Sequence, residues 1–99
     1  MGLDLSIRMQ ENFKTDSKGR NIWTVTELVN LHNCWEFLEA LQHYFDLYNG
    51  TTVSVYGCDL HDALQQIDNR NEIEIIENFF KENNVLDDDR QLFEVHAWW

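Results

Sequence analysis

The sequence predicts an α+β fold, a small antiparallel sheet packed against about three helices, and three observations carry that prediction. Leu3, Leu5, Ile7 and Met9 alternate with Asp4, Ser6 and Arg8, the period of a strand with one buried face. From Cys34 to Phe80 apolar residues recur at helical spacing in three stretches, separated by Asn, Gly and Asp. Two short β-rich runs, 51–56 (TTVSVY) and 92–99 (LFEVHAWW), stand between and after those stretches. At 99 residues, 43% hydrophobic and 13% aromatic, the chain has material for one core and one domain, residues 1–99, at roughly 100–200 residues per domain.

After the first strand, residues 10–21 read as a polar loop in which Asp16-Ser17-Lys18-Gly19 supplies turn chemistry. The run 22–26 (IWTVT) either returns as the second strand of a long-looped hairpin or enters a helix, because Thr24 and Glu27 are spaced as a capping box. Residues 27–48 carry a helical pattern with a break near Asn33, where Asn33 and Glu36 are placed as a second N-cap. Within 34–48 the polar residues Glu36, Glu39, Gln42, His43 and Asp46 form one narrow stripe, and nearly everything else is apolar or aromatic. A helix of that kind packs on more than one side, so it is the expected central helix, stopped at Asn49-Gly50. Asp59 is placed to cap a helix with Leu60, Ala63, Leu64 and Ile67 inside. Asn71 and Glu74 mark a further helix, with Ile73, Ile75, Ile76, Phe79 and Phe80 turned inward and Glu72, Glu77 and Glu82 on its other side. The chain holds no internal repeat and no proline, which removes any polyproline recognition segment or stiff linker.

The charge is more unusual than the pattern. Acids number 18 and bases 7, for a formal net charge of −11 and a pI near 4.5. A nucleic-acid binder shows a basic patch and a protein that adsorbs to anionic lipid shows clustered Lys and Arg, so neither nucleic acid nor membrane is the expected partner. No run approaches ~18 consecutive apolar residues, and residues 1–20 lack the cationic start and apolar core of a signal peptide. The expected compartment is the cytoplasm. Residues 1–21 are slightly positive, with Asp4, Glu11 and Asp16 against Arg8, Lys14, Lys18 and Arg20, and the imbalance grows along the chain until residues 59–99 hold eleven acids and three bases. Such a field aids solubility; on one face it would also steer a basic partner.

Catalytic and metal-binding patterns are weak by comparison. His32, Cys34, Cys58 and His61 are the residue types of a tetrahedral zinc site, but His-x-Cys departs from the usual ligand spacing, and packing of the cysteines as small apolar residues is the plainer reading. Asp87, Asp88 and Asp89 with Glu82 lack the alternating oxygens and Gly of a calcium loop. No Ser-His-Asp or Cys-His pattern and no phosphate-binding Gly loop is present. The expectation is a protein that is not an enzyme and needs no cofactor.

Three short segments carry a resemblance: Met1-Gly2-Leu3-Asp4-Leu5, the stretch 27–37 (ELVNLHNCWEF) and the aromatic ending 93–99 (FEVHAWW). Together they resemble a group of small phage and prophage proteins with an MGLD start, a His-Asn and aromatic helix, and a Trp-terminated end. The chain departs from that group in lacking a basic Trp-Arg-Lys stretch in the helix. The resemblance implies a phage or mobile-element setting and transfers no catalytic residue. In size and acidity the chain is also similar to immunity and anti-defence inhibitor proteins. The expected function is therefore a non-enzymatic acidic inhibitor that occupies the basic, nucleic-acid-facing surface of a nuclease toxin or defence effector. Its expected contact residues are Asp62, Asp68, Glu72, Glu77, Glu82, Asp87, Asp88 and Asp89, with Trp98 and Trp99 as aromatic anchors. The competing expectations are a small metal-dependent enzyme or zinc-stabilised module, and a structural protein that self-associates through its terminal tryptophans.

Overall fold

The alternation that opens the chain builds its first strand. A computed structural model describes residues 2–88 and 90–99, with the side chains of all of these except 11–15 and 21–24. The elements run β1 (Asp4–Thr15), β2 (Asn21–His32), α1 (Trp35–Gln42), β3 (Thr52–Tyr56), α2 (Gly57–Leu64), α3 (Arg70–Glu82) and β4 (Leu92–Trp98). The strands form one sheet in the order β2-β1-β4-β3 with every pair antiparallel. The fold is thus α+β, a four-stranded antiparallel sheet with three helices.

One face of that sheet is the core. Leu5 and Ile7 from β1, Leu31 from β2, Val55 from β3 and Phe93, Val95 and Ala97 from β4 are buried in one cluster with helix residues such as Phe37, Leu41, Leu60 and Ile76. Fully burying a Leu, Ile, Val or Phe side chain stabilises by about 1.5–3 kcal/mol each before entropy is counted. The opposite face, with Asp4, Ser6, Arg8, Gln10, Glu94 and His96, has no helix over it among the described residues.

The first hairpin differs most from expectation. Residues 10–15 and 21–32 are strand, and the turn is confined to 16–20. The helix expected from residue 27 does not begin until Trp35. β4 pairs with β1 only as far as Met9 opposite Phe93, so beyond that point β1 and β2 form a two-stranded arm. In the body of β2, the partner strand overrides the helical spacing of 27–31. Leu31 and Val29 lie opposite Leu5 and Ile7 on the core face, and an extra residue, Leu28, is accommodated where the register shifts between Ile7 and Arg8.

The helices also start and stop differently from their sequence signals. α1 covers Trp35–Gln42 and not the whole of 34–48. Leu47, beyond its end, is buried, whereas Trp35, Tyr44 and Tyr48 are exposed, so the element is packed on one side and is not a central helix. α3 is capped by Asn69, whose Oδ1 accepts from the Glu72 backbone N–H at 3.2 Å, two residues before the expected Asn71. Ile75 is 45% exposed and Phe79 is buried, so only the second of those two faces inward. The C-terminus of α3 closes with Asn84 at φ +53 and a Val85 N–H to Phe80 C=O bond of 2.9 Å, the left-handed termination that Asn tolerates.

Candidate functional site

Three acids of the helix layer are used to build it. The first-turn amides of α1 have no capping side chain from Cys34. A carboxylate from another helix replaces it: Glu72 of α3 accepts from Phe37 N–H at 3.1 Å and from Glu36 N–H at 3.4 Å. Glu36 in turn accepts from the backbone N–H groups of Asp68 and Asn69 at 3.0 and 3.2 Å. The starts of α1 and α3 are thereby latched together by two carboxylates placed where helix N-termini favour negative charge. Asp59, expected as the N-cap of α2, is instead the third residue of that helix: the N-cap is Tyr56, whose backbone N–H donates to the Asp59 carboxylate at 2.8 Å. Asn33, expected as a cap, instead accepts from Leu3 N–H at 3.0 Å and ties the start of β1 to the entrance of α1.

Glu72 therefore does not lie on the binding surface expected of it. It is buried, and charge reversal there would disrupt the α1–α3 latch. Asp62, Asp68, Glu77, Glu82, Asp87 and Asp88 are all exposed. Asp89 lies outside the described residues. Among the described residues the ion pairs are Arg20 with Asp16 and His32 with Asp4, both in the first hairpin, so none of these six exposed acids is neutralised by a cation.

The exposed acids do not form one face. At about 100° per residue, Glu74 and Glu77 lie about 60° apart on α3, whereas Glu82 is turned about 140° from Glu77. Glu77 stands where two grooves meet. One, of about 480 Å³, is floored by Leu64, Phe80 and Leu86 between α2 and α3; the other, of about 490 Å³, carries Asp68 and Glu74 beside Ile67 and Ile73. Asp62 borders a neighbouring hollow of about 400 Å³ that shares Gln65 with the first groove. Asp62, Asp68, Glu74 and Glu77 thus share one connected surface that is apolar at its floor, with these four acids and the cations Arg70 and Lys81 at its rim. Arg70 and Lys81 lie on the same ridge of α3 and pair with no carboxylate among the described residues. Glu74, read from sequence only as a helix marker, belongs to this surface; its three-residue spacing from Glu77 is the signal that places them together.

The two terminal tryptophans separate because successive strand residues point to opposite faces. Trp98, opposite Asp4 on the open sheet face, is 61% exposed. Trp99 turns to the other side and meets Trp35 edge-on at 6.0 Å. They do not make one aromatic patch.

The candidate zinc ligands are also dispersed. His32 Nδ1 lies 2.6 Å from Asp4 Oδ1 on the open face. Cys34 is buried, and its thiol is pushed up to about 11 by that burial, with the Glu72 charge adding to it. His61 Nε2 meets the Val85 carbonyl at 2.7 Å and its ring stacks on Phe80 at 4.0 Å. Cys58 sits half-buried in the first turn of α2. Among the described residues no three His, Cys, Asp or Glu side chains are grouped to hold a metal ion, and these four candidates do not come together. Nor is any described helix long and apolar enough to cross a membrane.

No protein-family model, no curated protein and no solved structure matches the chain.

Proposed function

We propose that the protein is a non-enzymatic binder that uses its helix layer to occupy a basic, nucleic-acid-facing surface of another protein, a nuclease toxin or a defence effector. The observation that carries this reading is the connected surface of Asp62, Asp68, Glu74 and Glu77, exposed, free of ion pairs among the described residues, and set round an apolar groove. Carboxylates on a rigid support take the places of phosphates and steer association, at rates up to ~10⁸–10⁹ M⁻¹s⁻¹ at low salt. Exposed Leu86 at the groove supplies the apolar anchor that charge alone does not. Glu82, Asp87 and Asp88 contribute to the long-range field without lining these grooves.

The test is capture of partners from the native host followed by association kinetics as a function of salt. The expected partner has a basic active-site or nucleic-acid surface, and its association slows as salt rises. Glu74→Lys with Glu77→Lys should slow association at least tenfold at low salt and leave the fold intact. A partner without a basic surface, or an association rate indifferent to both salt and these substitutions, overturns the proposal.

A further inference from the structure

The sheet has two edges of very different character. β3 is five residues long, and a short edge strand is one of the ways proteins avoid pairing with other chains. β2, the other edge, is 12 residues long. Its sequence, NIWTVTELVNLH, contains no Lys, Arg or Pro and a single carboxylate, Glu27; of the other devices that protect an edge, charge, proline, bulges and covering elements, its sequence and register show that one carboxylate and the bulge at Leu28. The register shift at Leu28 is its one irregularity on the β2 side of that hairpin's body.

A second observation points to what covers this edge. Beyond Met9 the arm has only two strands, and a two-stranded ribbon is at best marginally stable in water until a third strand or a helix joins it. The arm is also the positive part of a negative molecule. Residues 10–25 hold Lys14, Lys18 and Arg20 against Glu11 and Asp16, whereas the rest of the chain holds four bases and sixteen acids.

We infer that β2 pairs antiparallel with β2 of a second copy, about a two-fold axis near the middle of the strand, to continue the sheet through both molecules. Two-fold pairing uses the same surface on both partners. It sets residues 21–25 of each arm beside residues 28–32 of the other copy, which gives each arm its third strand. It also brings each arm, net positive in sequence, against a partner whose residues outside the arm hold four bases and sixteen acids. The helix-layer carboxylates stay free, so the inference does not depend on the function proposed above.

Sedimentation equilibrium at ~0.15 M salt, where the Debye length of ~8 Å screens body-to-body repulsion, should show the mass rising from 11.9 kDa toward twice that value with concentration. Hydrogen exchange over the same range should slow at least tenfold for β2 amides and stay constant for those of β3. Val25→Lys with Asn30→Lys, two exposed positions on β2, should return the mass to the monomer with circular dichroism unchanged. A native chain that stays monomeric to millimolar concentration overturns the inference. So does a dimer whose β2 amides exchange as fast as the monomer's, or one that the folded lysine variant leaves intact.

Discussion

The two sides of the sheet use the same residue type in different ways. On the open face each carboxylate meets a neighbouring-strand side chain: Asp4 meets His32, Glu27 accepts from Ser6 Oγ, and Glu94 accepts from Gln10 Nε2 at 2.8 Å. On the helix side Asp62, Asp68, Glu74 and Glu77 reach into solvent with no ion-pair partner among the described residues, while Glu36 and Glu72 turn inward onto backbone amides. Register accounts for the difference. An antiparallel ladder fixes side chains of adjacent strands ~5 Å apart, so an acid finds a donor across the strand. An exposed helix face holds its long side chains beside one another along a single element, and whether an acid is caught depends on whether a helix N-terminus lies within reach.

The sharpest way to break that comparison is at Glu72. Glu72→Ala removes the acceptor for two first-turn amides of α1, one of them buried. Hydrogen bonds to charged groups contribute about 1.5–3 kcal/mol each, and a buried donor left unpaired adds its desolvation cost. The urea midpoint should fall by the equivalent of about 2–3 kcal/mol at constant slope. Glu77→Ala, an exposed change, should stay within about 0.5 kcal/mol. Equal losses for the two would mean that burial of the carboxylate does not separate a cap from a contact residue.

That pair of glutamates also shows what was legible in the sequence. The alternation of 3–9, the runs 51–56 and 92–99 and the apolar spacing of Leu60 and Ala63 report directly on a single buried face, and each corresponds to an observed element; Ile67, expected on the same helix, is buried beyond the end of α2 at Leu64. The first hairpin was legible only in part: the run 22–26 offered a returning strand as one of two alternatives, whereas residues 10–15 read as loop because they are polar, and 27–32 as helix because their apolar spacing fits that period until the β1 partner is in place. Glu72 and Glu77 look alike in sequence, five residues apart on one helix. Only the approach of α1, 35 residues away along the chain, distinguishes them. The site was legible as an excess of acids but not as a surface, because the angular positions of Glu74, Glu77 and Glu82 matter only once the grooves beside α3 exist.

On the open face the expected effect is smaller. Ser6→Ala removes the donor to Glu27 from a residue that is 8% exposed, but Glu27 is itself exposed and rehydrates. The loss should be about 1 kcal/mol, the ordinary net value of one hydrogen bond, read from the same urea midpoints. A loss as large as that of Glu72→Ala would show that the open face carries as much of the fold as the latch.

Cys34 tests the latch from its buried side. Its thiol ionises at an ordinary value of 9.0 when unfolded and at about 11 when folded, raised by burial and then by Glu72. Between those values the native state holds a proton that the unfolded state has lost, so stability is complete below pH 9 and falls as pH rises toward 11. The check is a series of urea midpoints from pH 8 to 11, repeated for Cys34→Ala, which should flatten the decline attributable to this thiol. Glu72→Gln should lower the thiol's ionisation point by less than burial raised it. No change would place the Glu72 charge too far away to act on the sulfur.

The smallest effect belongs to the tip of the arm, where an acid is fully organised and yet remote from the core. Asp16 Oδ1 accepts from Arg20 N–H at 2.8 Å and Lys18 N–H at 2.9 Å, and its other oxygen meets Arg20 Nε at 2.8 Å. The backbone bond from Arg20 chiefly holds its carboxyl below the ordinary 3.8; desolvation opposes this, and the Lys18 amide and Arg20 side chain add to the lowering. A depressed carboxyl contributes order that is present above its unfolded value and lost as pH falls through the folded one. Acidification, or Asp16→Ala at neutral pH, should therefore speed hydrogen exchange at Lys18 and Arg20 several-fold and leave the global urea midpoint unmoved, because the tip opens without the body. A midpoint that moves with Asp16→Ala would mean that the arm is not a separable ribbon, and that its two strands are held by the rest of the sheet beyond the last pairing of Met9 with Phe93.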